Sequence, residues 1–170
     1  MNIMKVLVVF YSRTGNTACV ARKIAEELRS FSGHEVVTER IEELRGEEER
    51  KGLMGHLASG FEAMKKRESE TGQPKNNPAD FELIVVGTPV WAWNVPPATR
   101  SYCSRYLSGA SMVSFFCTMG GSGDRRTFAE MERLSGKSGR AFMSLREKDI
   151  KEEGTLMREK IQAFCEKASG

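Results

Sequence analysis

The residues best suited to chemistry fall into three short clusters. The first, Ser12-Arg13-Thr14-Gly15-Asn16-Thr17, sets hydroxyls at 12, 14 and 17 around a glycine. Hydroxyl oxygens, backbone amides and a residue without a Cβ suit the wrapping of a phosphate at a helix N-terminus. Ser, Thr and Asn are also good helix caps, so an ordinary capping loop fits the same residues. The second cluster, Gly87-Thr88-Pro89-Val90-Trp91-Ala92-Trp93-Asn94-Val95-Pro96-Pro97, carries two indoles beside a Pro-Pro step. Indoles so placed either stack on a flat ligand or pack under a neighbouring segment or subunit. The third, Thr118-Met119-Gly120-Gly121-Ser122-Gly123, offers backbone that a ligand could approach closely.

Several other chemistries are excluded by what these clusters lack. The first has no Gly-Lys-Ser/Thr ending and is not a nucleotide-triphosphate loop. No G-x-G-x-x-G follows the first hydrophobic segment; Gly121-Ser122-Gly123 comes much later, with Arg126 in the sixth place. A phospho-accepting aspartate is absent, because Tyr11 and Ser12 are neutral. Cys19, Cys103, Cys117 and Cys165 form no C-x-x-C pair, and with only His34 and His56 beside them no zinc spacing arises. No metal is expected. The cysteines read as reduced buried thiols. Cys117, one residue before the third cluster, could tune a ligand there, but a structural role fits it better. His56 alone on a helix reads as a surface residue, and no catalytic residue is assigned.

The elements that must position these clusters follow from the hydrophobic pattern. Residues 4–10 form an apolar, β-branched run, the pattern of a strand covered on both faces. Val20, Ala21, Ile24, Ala25 and Leu28 then recur at helical spacing over about 16–30. Strands follow at 35–41, 81–87, 112–118 and 139–145, and helices at 97–107 and 125–134. A closing helix is predicted over 150–167, with Leu156, Ile161 and Phe164 inward. Alternation of strand and helix predicts an α/β domain, a doubly wound, five-stranded parallel sheet with helices on both faces. In such a sheet ligands bind beyond the carboxyl ends of the strands, where all three clusters fall.

The segment 42–80 exceeds a minimal crossover. Leu53, Leu57, Phe61 and Met64 share a helical stripe weakened by Gly52, Gly55 and Gly60, and Gln73 to Pro78 is loop. A lid and a surface helix packed on the sheet fit this stretch about equally.

Size and charge bound the class. The chain has 170 residues and a net charge of +3, with 39% hydrophobic and 29% charged residues, so one domain spanning 1–170 is expected. Acidic and basic residues interleave, as in Glu47 to Lys51, and nucleic-acid binding is not expected. The longest apolar stretch, Val6 to Phe10, is too short for a membrane helix and lacks the pattern of a secretory signal. A cytoplasmic protein without membrane insertion is expected.

With the clusters and their order in view, the chain resembles the flavodoxin family over essentially its whole length. Ser12 to Thr17 after a hydrophobic first strand is similar to that family's phosphate loop, [S/T]-x-T-G-x-T, and Gly87 to Pro97 is similar to its flavin-ring loop. Thr118 to Gly123 stands where the family has its other ring-contacting loop. The resemblance implies strand order 2-1-3-4-5 and non-covalent FMN. It implies that the hydroxyls of Ser12, Thr14 and Thr17, with the amides of Arg13, Thr14, Gly15, Asn16 and Thr17, hold the phosphate. Arg13 either adds a charge-assisted bond or, the favoured alternative, points to solvent. The resemblance further implies that Thr88, Pro89, Val90, Trp91, Ala92, Trp93 and Asn94, together with Thr118, Met119, Gly120, Gly121 and Gly123, contact the ring.

Three departures from one-electron carriers bear on the role the resemblance implies. Carriers are typically acidic, whereas the pI here is about 8.7. The third cluster has no stacking tyrosine, and the second has no glycine after Gly87 to permit the peptide flip that favours the one-electron state. These departures favour an oxidoreductase passing electrons from a donor such as a nicotinamide to a quinone or other small acceptor. The alternative is a carrier that docks to redox proteins. Homo-oligomerisation stays open.

Overall fold

A computed structural model describes residues 2–44 and 71–170. The sheet is built on central strands whose side chains are buried on both faces. In β1 (Lys5–Phe10), Val6 and Val8 enter one core and Leu7 and Val9 the other. At about 1.5–3 kcal/mol for each buried Val or Leu, these four residues anchor β1 as the spine of the fold. The strand pairs with β2 (Glu35–Arg40) on one side and β3 (Leu83–Pro89) on the other. Next come β4 (Met112–Met119) and β5 (Gly139–Arg146), all pairings parallel, in the order β2-β1-β3-β4-β5. The expected fold class and strand order are those observed.

Helices cover both faces. Val20, Ala21, Ile24, Ala25 and Leu28 of α1 (Asn16–Ser32) fill the first core, and Ala98, Tyr102 and Cys103 of α2 (Pro97–Tyr106) the second. Met131 of α3 (Asp124–Ser135) joins the second core. All four thiols are unpaired, and burial pushes Cys103 and Cys165 each up to about 12. Among the described residues no helix is long and apolar enough to cross a membrane.

The closing helix differs from expectation. It is two helices, α4 (Glu147–Glu152) and α5 (Thr155–Ser169). Glu153, at φ 47°, ends α4 in the left-handed region with its N–H on the Ile150 carbonyl, and Gly154 starts α5. The new start rotates the apolar face: Met157, Ile161, Phe164, Cys165 and Ala168 are buried, while Leu156, expected inward, is exposed. The hydrophobic spacing of the tail fits a continuous helix equally well, which hid the break. β3 also runs two residues later than predicted, taking Thr88 and Pro89 into the strand.

His56 and the stripe from Leu53 to Met64 lie outside the described residues. The flanks of that segment are tied back to the sheet. Gly72 N–H donates to the Glu42 carbonyl at 2.9 Å. The buried Glu39 carboxylate accepts from the Lys75 amide at 2.7 Å and from the Asn76 amide at 3.0 Å. These bonds fix the loop over 73–77 before a short turn of 3-10 helix, Pro78–Asp80.

At the centre of the sheet Gly87 pairs directly with Phe116. A Cβ added at Gly87 would lie 2.0 Å from Phe116 Cζ, so the ring occupies the space that a side chain would need. Gly87→Ala is expected to destabilise the protein by about 2 kcal/mol or more through overpacking, read as a lower midpoint in urea denaturation. Restored stability in the double variant Gly87→Ala/Phe116→Leu would confirm the overlap as the cause.

Candidate functional site

The chain steps outward from β1 to β2, then returns across β1 to β3, so the carboxyl ends of β1 and β3 open a crevice between loops that diverge. Backbone bonds carry the ladder past the strand ends: Tyr11 N–H donates to the Gly87 carbonyl at 3.0 Å, and Val90 N–H to the Thr118 carbonyl at 2.9 Å. The three clusters read from the sequence are thereby brought side by side.

Loop one ends in Gly15 at φ 98°, a conformation that favours glycine, and α1 begins immediately after it. The first helical bond runs from Cys19 N–H to the Gly15 carbonyl at 2.9 Å, which leaves the amides of Asn16 and Thr17 ahead of the ladder. No acidic residue stands in the first turn of α1, so its positive end is not offset there by a carboxylate. Thr14 and Gly15 are exposed and Asn16 is half-buried. The other two hydroxyls have structural work. Ser12 is buried and its Oγ accepts from the Ala18 amide at 3.2 Å. Thr17 Oγ1 shares a 2.8 Å hydrogen bond with Thr118 Oγ1, joining α1 to the end of β4. Ser12 thus holds an amide of the first helical turn, while Thr14 and Gly15 stand exposed beside it.

Arg13 does not simply extend into solvent. Its guanidinium carbon lies 5.7 Å from the centre of the Trp91 ring, a cation–π distance, and the side chain is half-buried. Behind Trp91, Tyr11 makes an edge contact at 5.6 Å, and the Tyr11 hydroxyl donates to Glu43 at 2.9 Å. Arg40 Nη2 donates to the Ser12 carbonyl at 2.7 Å.

Loop two is a tight turn. Trp91 and Asn94 exchange two backbone hydrogen bonds of 3.0 and 2.9 Å, and Ala92 and Trp93 between them sit at φ 46° and 58°. Two consecutive left-handed residues make a primed turn, which elsewhere favours Asn-Gly; holding Ala and Trp there stores strain at a strand end. Trp91 is half-buried and Trp93 is 60% exposed. Trp93 Nε1 donates to Ser122 Oγ of loop three at 3.1 Å. Beneath the turn, buried Asn94 Oδ1 accepts from the Val95 amide at 2.9 Å and from Arg100 Nη2 at 3.2 Å. Arg100 pairs in turn with Glu130 of α3. Hydrogen bonds from Arg133 and then Arg100 hold the Glu130 carboxyl down at about 2, against the opposing effect of burial.

A cavity of about 160 Å³ lies between Arg13, Thr14, Asn16, Thr17, Pro89, Val90, Trp91 and Thr118. Complete small-molecule pockets run to roughly 300–1,000 Å³, so this cavity suits an anionic group and part of a chain, not a whole ring system. A flat ring would extend outside it, toward the exposed Trp93, Gly120 and Gly121. The rest of the predicted set falls elsewhere. Thr88 is fully buried in β3, with its hydroxyl on Thr99 Oγ1 at 2.9 Å. Met119 is buried in β4 and Asn94 lies below its turn. Cys117 is buried too, and desolvation, helped by Asp124, pushes its thiol well above the ordinary range, which suits a structural thiol.

Sequence reasoning missed Glu147, which lines the cavity. It is the first residue of α4, immediately after the carboxyl end of β5. The rule that ligands gather at strand ends would have found it had the last helix been started at 147 rather than 150. Arg40, Glu43 and the Arg100–Glu130 pair were also missed, because contacts between distant segments leave no local pattern.

A sequence profile of flavodoxins matches residues 5–143. The chain belongs to the flavodoxin family. FMN is the cofactor of that family. Solved structures agree in fold. A flavoprotein of Lactobacillus acidophilus NCFM, in complex with FMN, is 15% identical with a TM-score of 0.67, covering 88% of this chain and 97% of that one. Oxidised flavodoxin 2 of Bacillus cereus is 18% identical with a TM-score of 0.62, covering 97% of each. An archaeal flavodoxin is 17% identical with a TM-score of 0.60, covering 98% of this chain and all of that one. In this flavodoxin the donor set fits the cofactor. Helix-start amides outside the ladder and the exposed Thr14 suit its phosphate, and two indoles and glycine backbone suit a planar ring.

Loops two and three meet without space between them. A Cβ at Gly123, where φ is 112°, would lie 2.9 Å from both Trp93 Cα and Val90 Cγ1. Gly123→Ala is therefore expected to cost about 1–3 kcal/mol and to part the two loops. The changes to measure are a lower thermal midpoint and a red shift of tryptophan emission; emission unchanged in a folded variant would contradict the contact.

Proposed function

We propose that this flavodoxin-family chain binds FMN across the three loops and works as an oxidoreductase, taking electrons from a reduced nicotinamide and passing them to a quinone or other small acceptor. The bound flavin supplies the electron transfer; the chain binds it, orients it and sets who approaches. Thr14 and the amides of Asn16 and Thr17 would hold the phosphate. Arg13, at a cation–π distance from Trp91, would add charge, and Trp91, Trp93, Gly120 and Gly121 would flank the ring.

The observation that carries the oxidoreductase reading is the Trp91–Asn94 turn. Its two left-handed positions are held by Ala92 and Trp93, its ends by reciprocal backbone bonds, and its base by Arg100. Inverting a peptide in so constrained a turn, as one-electron carriers do, is costly with no glycine in it. A net charge of +3 and the absence of an aromatic in loop three support the same side. The carrier alternative is favoured by one observation, the 60% exposure of Trp93 at the rim, a surface that a protein partner could cover. A cytoplasmic setting belongs to the same reading, supported by four thiols that remain unpaired.

Two measurements test this. Thr14→Glu sets a carboxylate against the phosphate and is expected to abolish FMN binding while leaving the circular dichroism spectrum unchanged; retained stoichiometric FMN would contradict the loop assignment. Stepwise reduction of the FMN-loaded protein should pass directly to the two-electron-reduced spectrum, with bleaching by NADH or NADPH. A long-lived one-electron-reduced spectrum, with no response to either nicotinamide, would instead support the carrier.

A further inference from the structure

The most heavily buried charged side chain near the site is not in any of the three loops. Arg100 is only 2% exposed and stands in the first turns of α2, directly below the Trp91–Asn94 turn. Its guanidinium bridges two elements: one nitrogen pairs with Glu130 of α3, and another donates to Asn94 Oδ1 at 3.2 Å. Glu130 is itself braced by Arg133, with contacts of 2.8 and 2.9 Å. A buried ion pair is poor value for stability alone, since apolar residues of similar volume commonly serve as well or better. What this pair does that apolar residues cannot is aim a fork of donors at the one side-chain acceptor at the base of the turn. That acceptor also takes the Val95 amide, so the side-chain contact is coupled to the backbone that leaves the turn.

We propose that Arg100, oriented by Glu130, is a positioning residue for the flavin-ring loop: it clamps Asn94 and so keeps Ala92 and Trp93 in the left-handed conformation that shapes the ring-binding face. The proposal rests on the FMN reading above. It accounts for a turn of unfavourable residues persisting at a strand end. It also explains the side-chain role of Asn94, which the sequence groups with the ring-lining residues but which is buried below them. Two N–H donors of the cluster, Arg100 Nε and Asn94 Nδ2, are buried without an acceptor among the described residues. The bond from Arg100 to Asn94 is the only side-chain hydrogen bond between α2 and the turn among the described residues.

The test uses Arg100→Lys, which keeps the charge but cannot span Glu130 and Asn94 with a planar fork, and the double variant Arg100→Met/Glu130→Met, which leaves no buried charge unpaired. The two tryptophans of the chain are both in the turn, so intrinsic fluorescence of the flavin-free protein reports on that turn alone. Both variants are expected to increase acrylamide quenching of tryptophan. They are also expected to raise the dissociation constants of FMN and of riboflavin by the same factor, about 10–100-fold, the loss of one charged hydrogen bond. Quenching and both dissociation constants within twofold of wild type, in variants that melt cooperatively, would overturn the proposal. Should the double variant not fold, Arg100→Lys decides by the same criteria. Wild-type protein that binds no FMN would overturn the underlying reading, whereas wild-type binding that both variants share unchanged would overturn only the role of Arg100.

Discussion

The pairing of β1 with β3 is the constraint on which the rest depends. Because β2 leaves to one side of β1 and β3 returns on the other, the two loops at their carboxyl ends cannot both lie over the same helix. They must part, and the crevice they leave is bounded by β4 next door. Register makes this arrangement tight. Phe10 stands opposite Gly87 and Pro89 opposite Thr118, so the three loops start at nearly one level. The apolar residues of β1 supply the energy and the ladder supplies the alignment. The loops inherit their positions from both.

Polar groups near the site divide between those holding loops to each other and those left facing outward. Ser12, Thr17, Thr88 and Asn94 are buried and bonded within the protein. They stiffen the frame, although Thr17 also lines the cavity. Thr14, Gly15, Gly120 and Gly121 are exposed, and Asn16 is partly so. This division follows from a general cost: a buried hydroxyl or amide must find a partner inside, while an exposed one can exchange water for a ligand. Glu147 on the rim is the exception in sign, a carboxylate beside a cavity otherwise suited to an anion.

Most of this was legible in the residues. Apolar strands alternating with amphipathic helices have strong periodicities, and the three clusters carry distinctive compositions at strand ends, so order, layers and loops could be read directly. The break at Glu153 and Gly154 was not, because the apolar spacing around it fits one long helix and only the left-handed cap reveals the start of a second. Nor could the split among hydroxyls be read, since Ser12 and Thr14 are alike in sequence and differ only in which way the chain turns them. The Arg100, Glu130 and Asn94 cluster joins residues 30 and 6 positions apart, and no local pattern announces such contacts.

The central claim is that one ligand, FMN, is held by all three loops at the carboxyl edge of the sheet. It is tested most directly by following backbone amide resonances of nitrogen-15-labelled protein during FMN titration. The account predicts that amides over 12–17, 90–94 and 118–123 shift together and saturate at one equivalent, while those of Met4, His34 and Glu82 at the opposite edge stay in place. Shifts confined to a single loop, or centred on the opposite edge, would contradict it.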